Sequence, residues 1–219
     1  MGTLSEENYL KALFYLTNEK NQVSVNELSL FLHIKMPSVN SMMKKFSVKN
    51  WVNYESYKPL TLTREGKKMA AQVVRKHRLT EMFLVEKMNF GWEEVHEIAE
   101  QIEHIQSEVF FDKIDEILNF PKTDPHGSPI PDKKGKIIFQ EYKKLSSFSL
   151  GDEVVLKALS DSSQNLLNSL NEKKLSLGTS IKIMNIDACD RTFEVKYLEK
   201  NEFLSPVVTE KLLVEKISS

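Results

Sequence analysis

The chain reverses its charge along its length, and that reversal constrains its fold and surface more than any other feature. From Lys35 to Arg78 eleven basic residues stand against only Glu55 and Glu65, a net of +9. From Glu81 to Phe120 the order inverts, eleven acidic residues against Lys87 and Lys113, a net of −9. The formal net charge of −1 over the whole chain is therefore an average that conceals two opposite surfaces. The first block suits a polyanion and the second suits cations.

With 219 residues and 41% hydrophobic content, the chain can bury ordinary cores in one large domain or two to three small ones. It lacks the run of about 18 apolar residues that a membrane span needs, and Met1 to Leu10 carries charges where a signal peptide would be apolar. A folded cytoplasmic protein with no membrane partner is expected. The single cysteine, Cys189, excludes an intrachain disulfide and a thiolate-rich site. Any metal must be held mainly by nitrogen and oxygen.

The first 83 residues read as short helices followed by a hairpin. Ser5 is placed to cap a helix carrying Leu10, Leu13, Phe14 and Leu16. Ser24, with Glu27 three positions on, has capping-box spacing ahead of Leu28, Phe31 and Leu32. After a turn at His33 to Met36, Pro37 suits the first turn of a helix running to about Lys49, with Val39, Met42, Met43 and Phe46 inward. Trp51 to Tyr54 and Leu60 to Thr63, around Lys58 and Pro59, form a hairpin, so helix–turn–helix plus wing is the expected unit. A long helix follows from about Arg64 to Lys87, then one from about Trp92 to Leu118. Five breakers between Pro121 and Pro131 (Pro121, Pro125, Gly127, Pro129 and Pro131), followed by Gly135, mark a loop or linker. Beyond Ser149, runs at 154–156, 181–186, 193–198 and 207–217, with one helix near Gln164 to Lys174, predict a small β-barrel.

On the helix from Trp92, His96, Glu100, Glu103 and His104 recur at i, i+4, i+7 and i+8, one face at about 100° per residue. The preceding helix offers His77 and Glu81, also four apart. Imidazole and carboxylate together suit first-row divalent ions. An acidic solvated face is the plain alternative for any one pair; six such residues on two successive helices favour a metal constellation. The run His96-Glu97-Ile98-Ala99-Glu100 begins like a metalloprotease motif, but its second histidine is replaced by Glu100 and the zinc spacing fails. His33 and His126 fall in turns and are read as structural. The apolar stripe Ile98, Ile102, Ile105, Val109 and Ile114 exceeds what a local core needs and points to a homodimer through about Lys87 to Lys144.

The run Arg75-Lys76-His77-Arg78-Leu79-Thr80-Glu81, followed by Val95-His96-Glu97, Glu103-His104 and Gly127-Ser128-Pro129-Ile130-Pro131, resembles the diphtheria-toxin-repressor family of metal-dependent regulators. The likeness extends over essentially the whole chain. It implies a mainly α protein with a β C-terminal domain: a winged helix–turn–helix DNA-binding domain over 1–72, a helical metal-binding and dimerisation domain over 73–147, and a Src-homology-3-like domain over 148–219. It implies a primary metal site from Glu100, Glu103, His104 and Asn8, and an ancillary site from His77, Glu81 and His96. In the longer family members an acidic residue and a Gln three positions later join that second site, and Asp161 and Gln164 have this spacing. The iron-sensing members carry cysteine and methionine where this chain has Glu100 and Asn8. Hard oxygen in place of soft sulfur favours manganese(II), with iron(II) as the alternative. Lys11 stands where short manganese sensors have a glutamate, which argues against a closely spaced pair of metals.

For double-stranded operator DNA, Pro37, Ser38, Asn40 and Ser41 start the recognition helix and can face base edges, while Lys44, Lys45 and Lys58 face phosphate. The expectation is a homodimeric, metal-dependent repressor and not an enzyme. Two rivals stay open at this point: a metal-independent winged-helix regulator, and a metal-dependent hydrolase, which fits the His/Glu cluster but not the basic block.

Overall fold

Capping chemistry sets the first three helices in the computed structural model, which describes residues 2–217. Helix α1 (Leu4–Lys20) is capped by Thr3, not Ser5: Thr3 Oγ1 accepts from the Glu6 amide while the Glu6 carboxylate accepts from the Thr3 amide. Threonine wins because Glu6 stands three residues beyond it and completes the reciprocal box, which Ser5 cannot do. Helix α2 (Val25–Leu32) has the expected Ser24/Glu27 box. It ends at His33, whose left-handed φ of 54° turns the chain. Helix α3 (Met36–Val48) follows with Pro37 in its first turn, where a missing amide hydrogen costs nothing.

A two-strand hairpin completes this part, β1 (Val52–Asn53) against β2 (Thr61–Leu62), in register Val52↔Leu62. Leu10, Leu13, Leu28, Val39, Met43, Phe46 and Leu60 are fully buried in one core, each worth roughly 1.5–3 kcal/mol on removal from water. Phe46 meets the Trp51 ring edge-on at 5.1 Å, and the Val23–Leu60 bridge ties the hairpin to the start of α2.

Helix α4 (Arg64–Met88) is continuous, but the single helix expected from Trp92 to Leu118 is two: α5 (Val95–Ile102) and α6 (Glu108–Ile117). Ser107 caps α6 through the Phe110 amide, and that side-chain acceptor starts a new helix where hydrophobic periodicity alone would continue the old one. Leu79, Phe111, Ile114 and Ile130 form a second, small core. Ile114 thus belongs to the interior and leaves the expected apolar stripe. Arg75 clamps this region by donating to Asp115 at 2.5 Å and to the Pro131 carbonyl at 2.7 Å.

By compactness the chain divides into two units. One takes in the chain up to Phe83 with Ile98–Lys122 and Ile130–Ile138; the other takes Leu84–Glu97, Thr123–Pro129 and the chain from Phe139 on. The second is built on an antiparallel six-stranded sheet: β3 (Lys143–Lys144), β4 (Glu153–Leu159), β5 (Ser180–Ile186), β6 (Phe193–Tyr197), β7 (Lys200–Leu204) and β8 (Leu212–Lys216), in the order β3-β8-β4-β5-β6-β7. Helix α7 (Gln164–Glu172) packs Leu166, Leu167 and Leu170 with Val154, Leu156, Ile181, Ile183, Phe193, Val195 and Val214.

The sheet departs from the expectation in three ways. The pairings run in series without closing β7 onto β3 among the described residues, so the structure gives an open sheet and not a closed barrel. The stretch 207–217 is not one strand, because Pro206 opens a short helix α8 (Pro206–Thr209) before β8. Strand β7 adds a hairpin partner to β6 that the sequence reading lacked. In the same unit Gly127, at φ 87°, lies so close to β4 that an added Cβ would sit 2.4 Å from the Lys157 carbonyl oxygen. Among the described residues no helix is long and apolar enough to cross a membrane.

Candidate metal centre and nucleic-acid interface

Three segments of the first unit converge on one cluster of charge: the first turns of α1, the middle of α4, and the turn that ends α5. Glu7 and Lys11, one helical turn apart on α1, face the same way. Lys11 Nζ lies 2.7 Å from Glu100 Oε1 and 2.8 Å from Glu103 Oε1. Glu7 Oε2 lies 2.7 Å from His104 Nδ1, and its Oε1 accepts from Gln106 Nε2 at 2.9 Å, with Lys76 Nζ at 3.4 Å. On α4, His77 Nδ1 stands 2.5 Å from Glu103 Oε2 and His77 Nε2 stands 3.0 Å from Glu81 Oε1.

Glu103 is the centre of this arrangement and is fully buried. Although α5 ends at Ile102, the Glu103 amide still donates to the Ala99 carbonyl, so Glu103 keeps the helical phase that its spacing from Glu100 implies, and His104 follows in the turn. Its Oε2 is engaged by His77, whereas Oε1 has no aligned hydrogen-bond donor. The nitrogens that Oε1 faces are the Lys11 ammonium and His104 Nε2 at 3.8 Å. A buried carboxylate oxygen lacking a directed hydrogen bond is costly. The Lys11 ammonium at 2.8 Å offsets part of that cost by charge, and the donor set of carboxylate oxygen and imidazole nitrogen around it fits a divalent ion.

The electrostatics agree with that reading. Burial opposes protonation of His77, yet the hydrogen bonds it donates to Glu103 and Glu81, with their negative charge, raise its pKa from 6.5 to about 9. Burial likewise opposes the charge on Lys11, and Glu103 and Glu100 together raise its pKa above the ordinary lysine value. The cluster draws positive charge to itself.

Of the residues singled out in the sequence, His77, Glu81, Glu103 and His104 are brought into this cluster, with Glu100 at its solvent edge. Asn8 is half-buried beside Glu7. His96 is exposed on α5 and belongs to the second unit. Asp161 is taken up by Lys211 at 2.5 Å and by the Ser163 amide and hydroxyl, and Gln164 is the exposed first residue of α7. Sequence reasoning missed Glu7, Gln106 and the part played by Lys11. The spacing of Glu7 and Lys11 was a signal for a shared face; their partners about 90 residues away left none.

The basic block surrounds α3 and the hairpin. Pro37, Ser38, Ser41, Lys44 and Lys45 are exposed along α3. Asn40 accepts from Tyr54 Oη at 3.0 Å, which fixes α3 to the hairpin, and Ser41 Oγ donates back to the Pro37 carbonyl. Lys58 at the hairpin turn pairs with Glu55 at 2.9 Å, both exposed. Lys45 and Lys49 both reach Glu6 on α1, at 3.0 and 2.5 Å.

Comparison with known proteins bears on both surfaces. A sequence model described as "Iron dependent repressor, N-terminal DNA binding domain" matches residues 1–60, and one described as "Iron dependent repressor, metal binding and dimerisation domain" matches residues 63–132. The HTH-type transcriptional regulator MntR of Oceanobacillus iheyensis is 32% identical over 124 residues, which are 57% of this chain and 84% of that protein. The chain belongs to the iron-dependent repressor family. This family consists of DNA-binding regulators, so the broken metalloprotease-like run at His96 carries no hydrolytic reading. The iron-dependent repressor IdeR of Mycobacterium leprae is 34% identical over 125 residues, 57% of this chain and 54% of that protein, so the chain spans about half the length of such relatives. Among solved family structures, a manganese-dependent transcriptional repressor in complex with manganese superposes with a TM-score of 0.85 at 25% identity, over 97% of this chain and 100% of that one. ScaR with bound Cd2+ gives 0.78 at 30% identity, over 97% and 99%.

Proposed function

We propose that this chain is a metal-dependent transcriptional repressor that binds operator DNA as a homodimer when loaded with a divalent metal, manganese(II) in preference to iron(II). The observation that carries the proposal is Glu103 Oε1, a fully buried carboxylate oxygen without an aligned donor, set between the α1 residue Lys11 and the imidazole of His104. Glu100, Glu103, His104 and Asn8 would hold the primary ion, with Glu7 orienting His104 through Nδ1. His77, Glu81 and His96 are proposed as ancillary ligands on the strength of the sequence resemblance. When bound, the ion supplies a localised positive charge that imidazole and carboxylate share.

This chain's own residues do the coupling. The carboxylates and imidazole at the end of α5 are met by residues of α1, and α1 is tied by Glu6 to Lys45 and Lys49 of α3. A change in how tightly α1 is held is therefore passed to the helix that would enter the major groove. Two copies are needed to read a palindrome, with recognition helices about 34 Å apart. Ile105, Val109, Phe110, Ile117 and Phe120 leave an exposed apolar surface within the segment that follows α5, and we assign the second copy to it. Carboxylate in place of thiolate at Glu100 favours manganese. The test is operator binding by fluorescence anisotropy across a series of divalent ions at buffered free concentration. Half-maximal operator binding at a lower free concentration of manganese(II) than of iron(II), and none in chelator, is expected; binding indifferent to every ion would overturn the proposal.

A further inference from the structure

The Lys11 ammonium lies within ion-pair distance of both Glu100 and Glu103, at 2.7 and 2.8 Å from one oxygen of each. Its side chain is 11% exposed while that of Glu103 is wholly buried, so the contact is a shielded one and not a loose surface pair. A divalent ion bonded to the same two oxygens would sit about 2.0–2.5 Å from each. An ammonium held at these distances competes for the same oxygens, and two adjacent positive centres would repel.

We propose that Lys11 is a tethered competitor for the primary metal position: its ammonium and a divalent ion are mutually exclusive partners of Glu100 Oε1 and Glu103 Oε1, and Lys11 thereby sets the metal concentration at which the repressor responds. The inference rests on the metal-site reading above. Lys11 must withdraw from both carboxylates for an ion to take them, so the ion's apparent affinity is its intrinsic affinity reduced by the fraction of time Lys11 is away. Lys11 also supplies the counter-charge that makes burial of Glu103 tolerable. It bridges α1 and α5 by itself, and a single tether cannot make the additional bonds to His104 that a metal can.

The experiment is manganese(II) binding to the full-length protein, followed by electron paramagnetic resonance of the free ion, for wild type, Lys11→Met, Lys11→Gln and His104→Ala, with thermal unfolding of each in the presence of chelator. Lys11→Gln retains a polar donor and carries the comparison independently of Lys11→Met. The expected result is that both Lys11 variants bind manganese at least about fivefold more tightly than wild type, that both unfold at lower temperature in chelator, and that manganese recovers more stability in them than in wild type. His104→Ala is expected to lose this binding event. Unchanged or weaker binding in the Lys11 variants, with His104→Ala still defective, would overturn the competitor role and leave the metal site standing. Unaltered binding in His104→Ala would overturn the site itself, and the competitor role with it.

Discussion

Glu6 on α1 and Lys49 at the end of α3 form a 2.5 Å ion pair in which the carboxylate is only 1% exposed. Lys45 reaches the same oxygen at 3.0 Å. Adjacent helix residues point about 100° apart, so Glu6 holds the end of α3 while Glu7 holds His104. Glu6→Gln should keep the shape and remove the charge. It should destabilise the fold by about 2 kcal/mol, since the half-exposed lysines regain water. It should also strengthen nonspecific DNA binding, because two lysines are released toward phosphate. Urea unfolding and binding to a random duplex check both; loss of stability without a gain in DNA binding would mean that the lysines do not face DNA.

The same pair makes the winged helix acid-sensitive. Burial raises the Glu6 pKa, but the hydrogen bonds from Lys49, the Thr3 amide and Lys45 outweigh it and bring the value from 4.5 down to about 2. A depressed carboxylate stabilises the fold above its unfolded value and loses that contribution as pH falls from about 4.5 to about 2. The full shift corresponds to at most about 3 kcal/mol, and the exposure of the lysines reduces it to about 2. The difference in stability between wild type and Glu6→Gln should therefore be constant near neutrality, shrink below about pH 4.5 and vanish only below about pH 2. A difference that persists there would make it a packing effect.

Gly66, in the first turn of α4, lies against the hairpin so closely that a Cβ would stand 1.8 Å from the Trp51 carbonyl oxygen. That oxygen accepts from the Thr63 amide, so it cannot retreat cheaply. Gly66→Ala should cost about 3 kcal/mol or more by forcing α4 away from the hairpin, although alanine is the better helix former by about 1 kcal/mol. A stabilised Gly66→Ala variant in thermal unfolding would contradict this contact.

Lys44 and Lys45 are neighbours on α3 with different prospects. Both are exposed; Lys45 shares Glu6, while Lys44 makes no ion pair among the described contacts. If each neutralises phosphate, Lys44→Ala should reduce the slope of log affinity against log salt by about 0.9. Lys45→Ala should reduce it by less, because part of its charge is already spent on Glu6. Equal reductions would show that DNA displaces the Glu6 pair completely.

What was legible in the sequence follows from the range of the interactions. The Ser24/Glu27 box, the helix started by Pro37 and the wing were readable because their determinants lie within a few residues. The phase linking Glu100 to Glu103 survived for the same reason. The break at Ser107 was hidden because the apolar period continues across it while one side-chain cap decides the outcome. Strand β7 was hidden by its turn: Leu198 and Glu199 adopt φ of 46° and 59°, the conformation in which Asn-Gly would have announced a hairpin. The contact of Lys11 with Glu100, 89 residues away, has no local signature at all. The charge reversal indicated that a cation belonged among these acids, and the fold supplies a lysine as one candidate.

The sharpest separation of the metal reading from a merely acidic helix end comes from Glu100, whose side chain is half exposed and accepts from Lys11 at 2.7 Å. Glu100→Cys would exchange a hard oxygen for a soft thiolate, leaving Glu103, His104 and Glu7 in place. As a ligand change it should weaken activation by manganese(II) about tenfold or more and shift preference toward iron(II), cobalt(II) or nickel(II), which bind sulfur better. Glu100→Ala should weaken activation by every ion, since it removes a donor without supplying another. Both variants should keep the stability of the wild type within about 1 kcal/mol, because a half-exposed ion pair contributes little, and both should keep salt-dependent nonspecific DNA binding, since neither alters the basic residues of α3 and the hairpin proposed to meet DNA. Titrating wild type and the two variants with each metal while following operator anisotropy decides the matter. Three superimposable metal-response curves would remove Glu100 from the ligand set.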